Sequence, residues 1–297
     1  MKVIKESPEH HFLTFLSQVK ENGSGWCAIH LARSETLIHE DVIGEPDAIR
    51  SKIHDYKMAG EDVIARLQAE AVDFSDATLY VFTDGDLLLL TNPGGGIEEN
   101  SFQNYYRELA TIFTGRNCRY GNVMQDIYSY QRLVDERLIS ARRLKAYEAM
   151  SDKVRLQSIP LRRERHKDTL VLIVEDDRFT AAYAANILNK ECEIIHAKSG
   201  EDAITAYIEH APDIVFLDIH LPGISGHQTL DAIKLVDTVA HVVMLSSDAV
   251  KSNIVEASKG GASGFLKKPF TKERMLAVVK ASPFYKPSRH AGIPQQF

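Results

Sequence analysis

From Thr169 onward, five short apolar runs alternate with five amphipathic stretches, and this alternation limits the possible folds more than any other feature of the chain. The runs are 170–174, 193–197, 213–217, 242–245 and 263–266, and the stretches lie near 179–190, 200–210, 225–236, 251–259 and 271–281. Apolar runs this short suit strands covered on both faces, while residues repeating every three or four positions suit helices packed against them. The pattern predicts an α/β domain over 168–282, a doubly wound five-stranded parallel (βα)5 sheet. In such a sheet functional groups collect where strands end. Here Val171-Leu172-Ile173-Val174 runs into Glu175-Asp176-Asp177, and Ile214-Val215-Phe216-Leu217 runs into Asp218 and then His220-Leu221-Pro222-Gly223. The fourth strand ends at Ser246-Ser247 and the fifth reaches Lys267-Lys268-Pro269.

Neighbouring carboxylates raise one another's pKa unless a cation lies among them. A hard divalent ion such as Mg²⁺ takes oxygen ligands and commonly keeps a phosphate oxygen, so two carboxylates and a main-chain carbonyl form a plausible partial shell. A nearby hydroxyl and ammonium can hold the other oxygens of a phosphoryl group. The residue types therefore point to phosphoryl chemistry on a carboxylate.

Over residues 169 to 282 the chain resembles the CheY-like receiver domain of two-component response regulators. The motifs are Val174-Glu175-Asp176-Asp177, Phe216-Leu217-Asp218 through Gly226, Met244-Leu245-Ser246-Ser247, and Gly261 through Phe270 with Lys267-Lys268-Pro269. The resemblance implies that Asp218 is the phosphoacceptor, served by a histidine kinase, a phosphotransfer protein or a small acyl phosphate. It implies Mg²⁺ held by Asp176, Asp218 and the main-chain carbonyl of His220, with Glu175 assisting through water. It further implies that Ser246 and Lys268 bind the phosphoryl group, that Phe265 is the rotating aromatic, and that the Lys268–Pro269 bond is cis. His220 and Asp248 stand where flanking residues tune the lifetime of the phosphoryl group. Serine replaces the commoner threonine at Ser246, and Phe265 lacks a phenolic oxygen.

The 297 residues exceed one such domain, and 44% hydrophobic with 26% charged residues is ordinary globular usage. Residues 1–122 are expected to form an α+β output domain with an antiparallel sheet, strands at 26–31 and 78–91, and helices at 8–20, 46–70 and 101–114. The second strand pair should fold at Asp84-Gly85 as a type I′ turn. Phe82 to Leu89 resembles a hairpin of the diguanylate cyclase fold in degenerate form, because the paired glycines and following acid are not reproduced and Cys27 to Ala32 supplies no metal-binding Asp. Gly94-Gly95-Gly96 after Pro93 reads as a loop, and His10-His11 as surface histidines. Val123 to Gln157 contains no Gly or Pro and carries a helical apolar stripe, which predicts a long connecting helix within a connector of 123–167. The tail 283–297 is expected to be mobile.

The net charge of −6 conceals a basic connector. Residues 1–131 carry 11 Lys and Arg against 20 Asp and Glu, residues 132–167 carry 11 against 5, and residues 168–297 carry 13 against 16. Without a helix-turn-helix pattern, that basic stretch suggests docking onto acidic surface or the solvated face of a helix rather than nucleic acid. No run approaches the length of a membrane span, no secretory leader is evident, and three scattered cysteines suit reduced thiols, so a cytoplasmic protein is expected. The expected function is phosphorylation-controlled protein–protein interaction or self-association, a homodimer included, through the N-terminal domain and connector helix. The expectation is a phosphoacceptor that dephosphorylates itself, without an N-terminal catalytic activity. The alternatives are a receiver-controlled nucleotide-binding or cyclase-like enzyme and a phosphorylation-controlled DNA-binding regulator.

Overall fold

The computed structural model describes residues 1–22, 25–33, 46–70, 77–92, 99–112, 118–247 and 260–287. It divides into two compact units, Met1–Leu144 and Lys145–Phe297.

In the first unit, β1 (Lys2–Ile4), α1 (Pro8–Asn22), β2 (Cys27–Leu31), α2 (Pro46–Glu70), β3 (Thr78–Val81), β4 (Leu87–Thr91), α3 (Glu99–Ile112) and β5 (Cys118–Asn122) follow in order. The sheet runs β1-β3-β4-β2-β5. From β2 to β5 every neighbour is antiparallel, giving the split β-α-β arrangement of ferredoxin-like domains. The sheet is nevertheless mixed, because β1 adds to β3 in parallel, Lys2 facing Thr78 and Ile4 facing Tyr80. Sequence reading missed β1 and β5: three residues are too few to show a period, and Cys118-Arg119-Tyr120-Gly121-Asn122 lacks the apolar character of a core strand.

Alternation along the strands sends Ala28, Tyr80, Phe82, Leu88 and Leu90 to the face covered by α1 and the start of α4 (Ile127–Met150). Cys27, Ile29, Leu31, Leu79, Leu87 and Leu89 go to the opposite face, where Leu67 of α2 and Tyr105 and Leu109 of α3 pack. The hairpin differs from the expected type I′ turn, which needs two residues at positive φ. Only Gly85 has one (φ 89). Phe82 N–H donates to Asp86 O (2.9 Å) and Gly85 N–H to Phe82 O (2.8 Å), so the loop is Thr83-Asp84-Gly85. Asp84 is held inside it, its carboxylate accepting from Asp86 N–H at 3.1 Å.

The second unit contains the end of α4, α5 (Lys153–Gln157), α6 (Ile159–Glu164), and then β6 (Thr169–Val174), α7 (Arg178–Leu188), β7 (Cys192–Ala197), α8 (Gly200–His210), β8 (Ile214–Asp218), α9 (Gly226–Val236), β9 (Val242–Ser246), β10 (Gly264–Lys267) and α10 (Lys272–Lys280). All five strands are parallel in the order β10-β9-β8-β6-β7. The strand order reverses between β6 and β8, creating the crevice where ligands bind in doubly wound sheets. The central strands are buried at every position, as parallel strands covered on both sides must be. The helix expected at 251–259 lies outside the described residues.

Helix starts are set by side chains that accept otherwise unsatisfied backbone N–H groups. Asp177 caps α7, Ser199 caps α8, and Ser225 caps α9 in a reciprocal box with Gln228. The helix expected over Val123–Gln157 is interrupted for the same reason: Asp152 accepts from Arg155 N–H (3.1 Å) and starts α5 afresh. The tail is ordered further than expected. Lys286 donates from its main-chain N–H to Thr169 Oγ1 (2.7 Å) and from Nζ to Asp213 Oδ1 (2.7 Å) and Arg163 O (2.6 Å). Residues 288–297 lie outside the described set.

Cys27, Cys118 and Cys192 are all buried, and none is in a disulfide. Burial pushes the Cys118 thiol up to about 11 and the Cys192 thiol up to about 12. Because the thiolate is the reactive species, native protein at pH 8 should react with a thiol reagent far more slowly than denatured protein, in which all three groups react promptly. Thiol titration with and without guanidinium checks this, and rapid native labelling of all three would contradict the burial.

Candidate functional site

The crevice beside β6 and β8 is built almost entirely from chain reversals at strand ends. β6 delivers Glu175 and Asp176, β8 delivers Asp218, β9 ends in Ser246, and Lys268 follows β10. Pairing fixes their relative height: Val174 lies opposite Leu217, Asp218 opposite Leu245, and Ser246 opposite Lys267. Carboxylate oxygens of Glu175, Asp176 and Asp218 all lie within 4.8 Å of one another. Glu175 and Asp218 are buried and Asp176 is exposed.

Among the described residues, one cation, Lys268, faces this group. The Lys268 ammonium is 2.5 Å from Glu175 Oε2 and 3.1 Å from Asp218 Oδ1. Lys268 main-chain N–H also donates to Ser246 O (2.7 Å), and the Lys268–Pro269 peptide is cis. Burial pushes the Glu175 carboxyl above its ordinary range; the hydrogen bond from Lys268 opposes the rise and the Asp218 charge adds to it. Asp177 behaves differently. Hydrogen bonds from the Thr180 side chain and backbone, as part of the α7 cap, hold its carboxyl below the ordinary range. Three carboxylates facing one ammonium leave a surplus of negative charge and a donor set made only of oxygens, which fits a hard divalent cation.

Ser246 is buried, Phe265 is half-buried against the core, and His220 is exposed. Asp248 lies outside the described residues, as do Gly94-Gly95-Gly96. Behind Asp218, Gly226 must be glycine, because a Cβ there would collide with the Asp218 carbonyl oxygen. Gly223 holds a left-handed conformation (φ 83) between Asp218 and the start of α9.

Supporting residues went unnoticed in the sequence. Glu201, buried on α8, accepts from Ile224 N–H at 3.3 Å and steadies the loop after Asp218. His196 Nε2 lies 2.8 Å from Glu175 O and ties β7 to the acid cluster. A glutamate in an ordinary amphipathic helix and a histidine in a strand give no local signal of such roles. Nor did the sequence reveal the apolar patch beside Lys268. Phe179 is 83% exposed, and Tyr183, half exposed, stacks on Phe270 with ring centroids 5.8 Å apart.

In the first unit two histidines, His11 and His30, have ordinary partners. His11 Nδ1 meets Tyr80 OH at 3.0 Å, and His30 Nε2 meets Asp86 Oδ2 at 3.1 Å. Asp84 and Asp86, both fully buried, also pair with Arg137 of α4. The Asp84-Gly85 signal thus marked not only a turn but a buried charge network, which turn chemistry alone does not reveal.

A doubly wound sheet whose switch point gathers three carboxylates and a lysine defines an α/β signalling domain of the receiver class. The family model for the response regulator receiver domain matches residues 171–280. The chemotaxis protein CheY of Bacillus subtilis is 35% identical over 111 residues, covering 37% of this chain and 92% of that protein. Protein PilG of Pseudomonas aeruginosa is 36% identical over 125 residues, covering 40% and 90%. The crystal structure of the receiver domain of NtrX from Brucella abortus aligns with TM-score 0.37 and 34% identity, over 38% of this chain and 96% of that one. The chain belongs to the response regulators of two-component signalling, with its receiver domain in the second unit. Among the described residues, no helix is long and apolar enough to cross a membrane.

Proposed function

We propose that this response regulator accepts a phosphoryl group on Asp218 and that the modified receiver switches protein–protein interaction or self-association through the N-terminal unit and α4. The observation that carries the reading is the Lys268 ammonium lying 3.1 Å from Asp218 and 2.5 Å from Glu175. In the transfer, an Asp218 carboxylate oxygen attacks phosphorus, the new O–P bond forming as the donor's P–N bond (phosphohistidine) or acyl O–P bond breaks. Lys268 then exchanges its contact with Asp218 for a phosphoryl oxygen, and the Ser246 hydroxyl donates to another. Asp176, Asp218 and the His220 main-chain carbonyl would hold Mg²⁺, with Glu175 assisting through water; the ion supplies neutralisation of the phosphoryl oxygens. His220 and Asp248 would tune how long the phosphoryl group persists.

Phosphoryl charge at Asp218 draws in Ser246 and lets Phe265 turn inward, and the population shift alters the surface near β9 and β10. The donor is a histidine kinase or phosphotransfer protein, and the exposed Phe179 and Tyr183 beside Lys268 offer it an apolar docking surface. The connector arginines favour interaction with protein over DNA. Arg162 already donates to Ile208 O (2.8 Å) and Glu209 O (2.9 Å), and Arg163 is buried among Tyr207, Pro212 and Asp237.

Incubating the full chain with radiolabelled acetyl phosphate tests the reading. Acid-stable, base-labile label should appear with Mg²⁺ and disappear when the metal is chelated. Label that is independent of metal, or none under any condition, would overturn it. Lys268→Ala should still take Mg²⁺, yet fail to convert phosphorylation into the change in hydrogen exchange that the unaltered chain shows at 264–267. A normal response in that variant would remove Lys268 from the switch.

A further inference from the structure

A cleft of about 400 Å³ in the first unit has no part in phosphoryl transfer. One wall is α1, which presents His11, Phe15 and Gln18 at helical spacing. Trp26 and Tyr80 form the floor, and Lys2 of β1 stands at the rim. The volume falls within the range of small-ligand sites, and the lining has their usual make-up, mostly apolar surface with a few convergent polar groups.

Two features define the ligand. First, the cleft is aromatic. Phe15 and Trp26, both half-buried, meet edge to face with centroids 5.1 Å apart over the buried Tyr80, so a planar π system would find a ring face and a ring edge to pack on. Second, its polarity runs against that of its surroundings. Residues 1–131 carry 20 Asp and Glu against 11 Lys and Arg, yet among the described residues lining the cleft there is no carboxylate. The polar side chains are the Lys2 ammonium, the Gln18 amide, the Thr78 hydroxyl, and the linked pair of His11 and Tyr80. Tyr80 OH occupies His11 Nδ1 at 3.0 Å, leaving Nε2 as the ring's remaining hydrogen-bonding atom. Lys2, His11 and Gln18 are exposed, so the cleft is open to solvent rather than a packing defect in the core.

We propose that this cleft binds a small planar aromatic anion, an aromatic ring system bearing a carboxylate or sulfonate, with the rings against Phe15 and Trp26 and the anion at Lys2. It gives the N-terminal unit a chemical input separate from phosphorylation. Trp26 is the only tryptophan in the chain, so its emission reports on the cleft directly.

The test is a titration of the full chain with anilinonaphthalene sulfonate while following Trp26 emission. Saturable quenching at one site is expected, with displacement by naphthoate at least tenfold more effective than by uncharged naphthalenemethanol. Lys2→Glu should weaken binding at least tenfold with circular dichroism unchanged, and Lys2→Arg should retain it. Emission that does not change or does not saturate would overturn the proposal. So would equal competition by the alcohol, or dye affinity unaltered in Lys2→Glu, since either leaves only nonspecific apolar adsorption.

Discussion

Asp218→Asn is expected to take up no stable phosphoryl label from acetyl phosphate or from a phosphorylated histidine donor. The amide nitrogen's lone pair is delocalised and the amide oxygen carries no full charge, so neither atom replaces the carboxylate as nucleophile. The substitution preserves shape at a buried position, and the backbone contacts of Asp218 with β9 and with the start of α9 do not involve its side chain. Folding should therefore survive. It also removes one of the like charges that push Glu175 upward, so a thermal midpoint equal to or slightly above that of the unaltered chain is expected. Mass spectrometry of the labelled peptide distinguishes the outcomes. Labelling at the unaltered rate would refute the acceptor assignment, and transfer of the label to Asp176 or Glu175 would show that the pocket is right and the nucleophile wrong.

How far sequence led to this point differs sharply between the two units. In the second, strand ends and function coincide: Val174 and Leu217 are core residues, and the very next residues are the acids of the crevice. A strand buried on both faces must show an unbroken apolar run, so both the strand and its end are visible in the sequence. The first unit's sheet gives no such sign. β1 is three residues long and depends on pairing with β3, 76 positions away at Lys2 and Thr78. His30, Asp86 and Arg137 are likewise distant in sequence, and each alone reads as a surface group; only the fold buries them together. The cleft has the same origin. Lys2, His11, Trp26 and Tyr80 form no motif, because they are assembled by an edge strand and a helix that local pattern does not connect.

The connector illustrates how composition can be right about charge while leaving its use open, and it carries the largest expected loss of stability. Arg163 of α6 is 3% exposed. Its guanidinium pairs with Asp237, donates to Tyr207 OH (2.7 Å) and Pro212 O (3.2 Å), and lies 4.6 Å from the centre of the Phe284 ring. Asp237 is itself buried and caps the end of α9, with Tyr207 OH donating to it at 2.6 Å. Arg163→Ala would strand that carboxylate in the interior with only neutral donors, Tyr207 OH and Val239 N–H (3.2 Å). Breaking a buried pair from one side typically costs about 3–5 kcal/mol, a large share of the roughly 5–15 kcal/mol that holds a domain together. For a unit of this size the thermal midpoint should fall by about 10 °C. Arg162→Ala loses only partly exposed bonds to the last carbonyls of α8, so a cost nearer 1 kcal/mol is expected. The double variant Arg163→Ala, Asp237→Ala should be less damaged than the sum of the two single changes, because it leaves no charge unpaired. Urea unfolding of the four proteins, followed by hydrogen exchange at β6 and β8, measures the cycle. Strict additivity, or a midpoint unmoved by Arg163→Ala, would show that α6 rests on the receiver surface without bracing it. With the expected coupling, a receiver cut at Asp168 should show the same weakness, since it lacks Arg163 although it keeps every residue of the acid cluster.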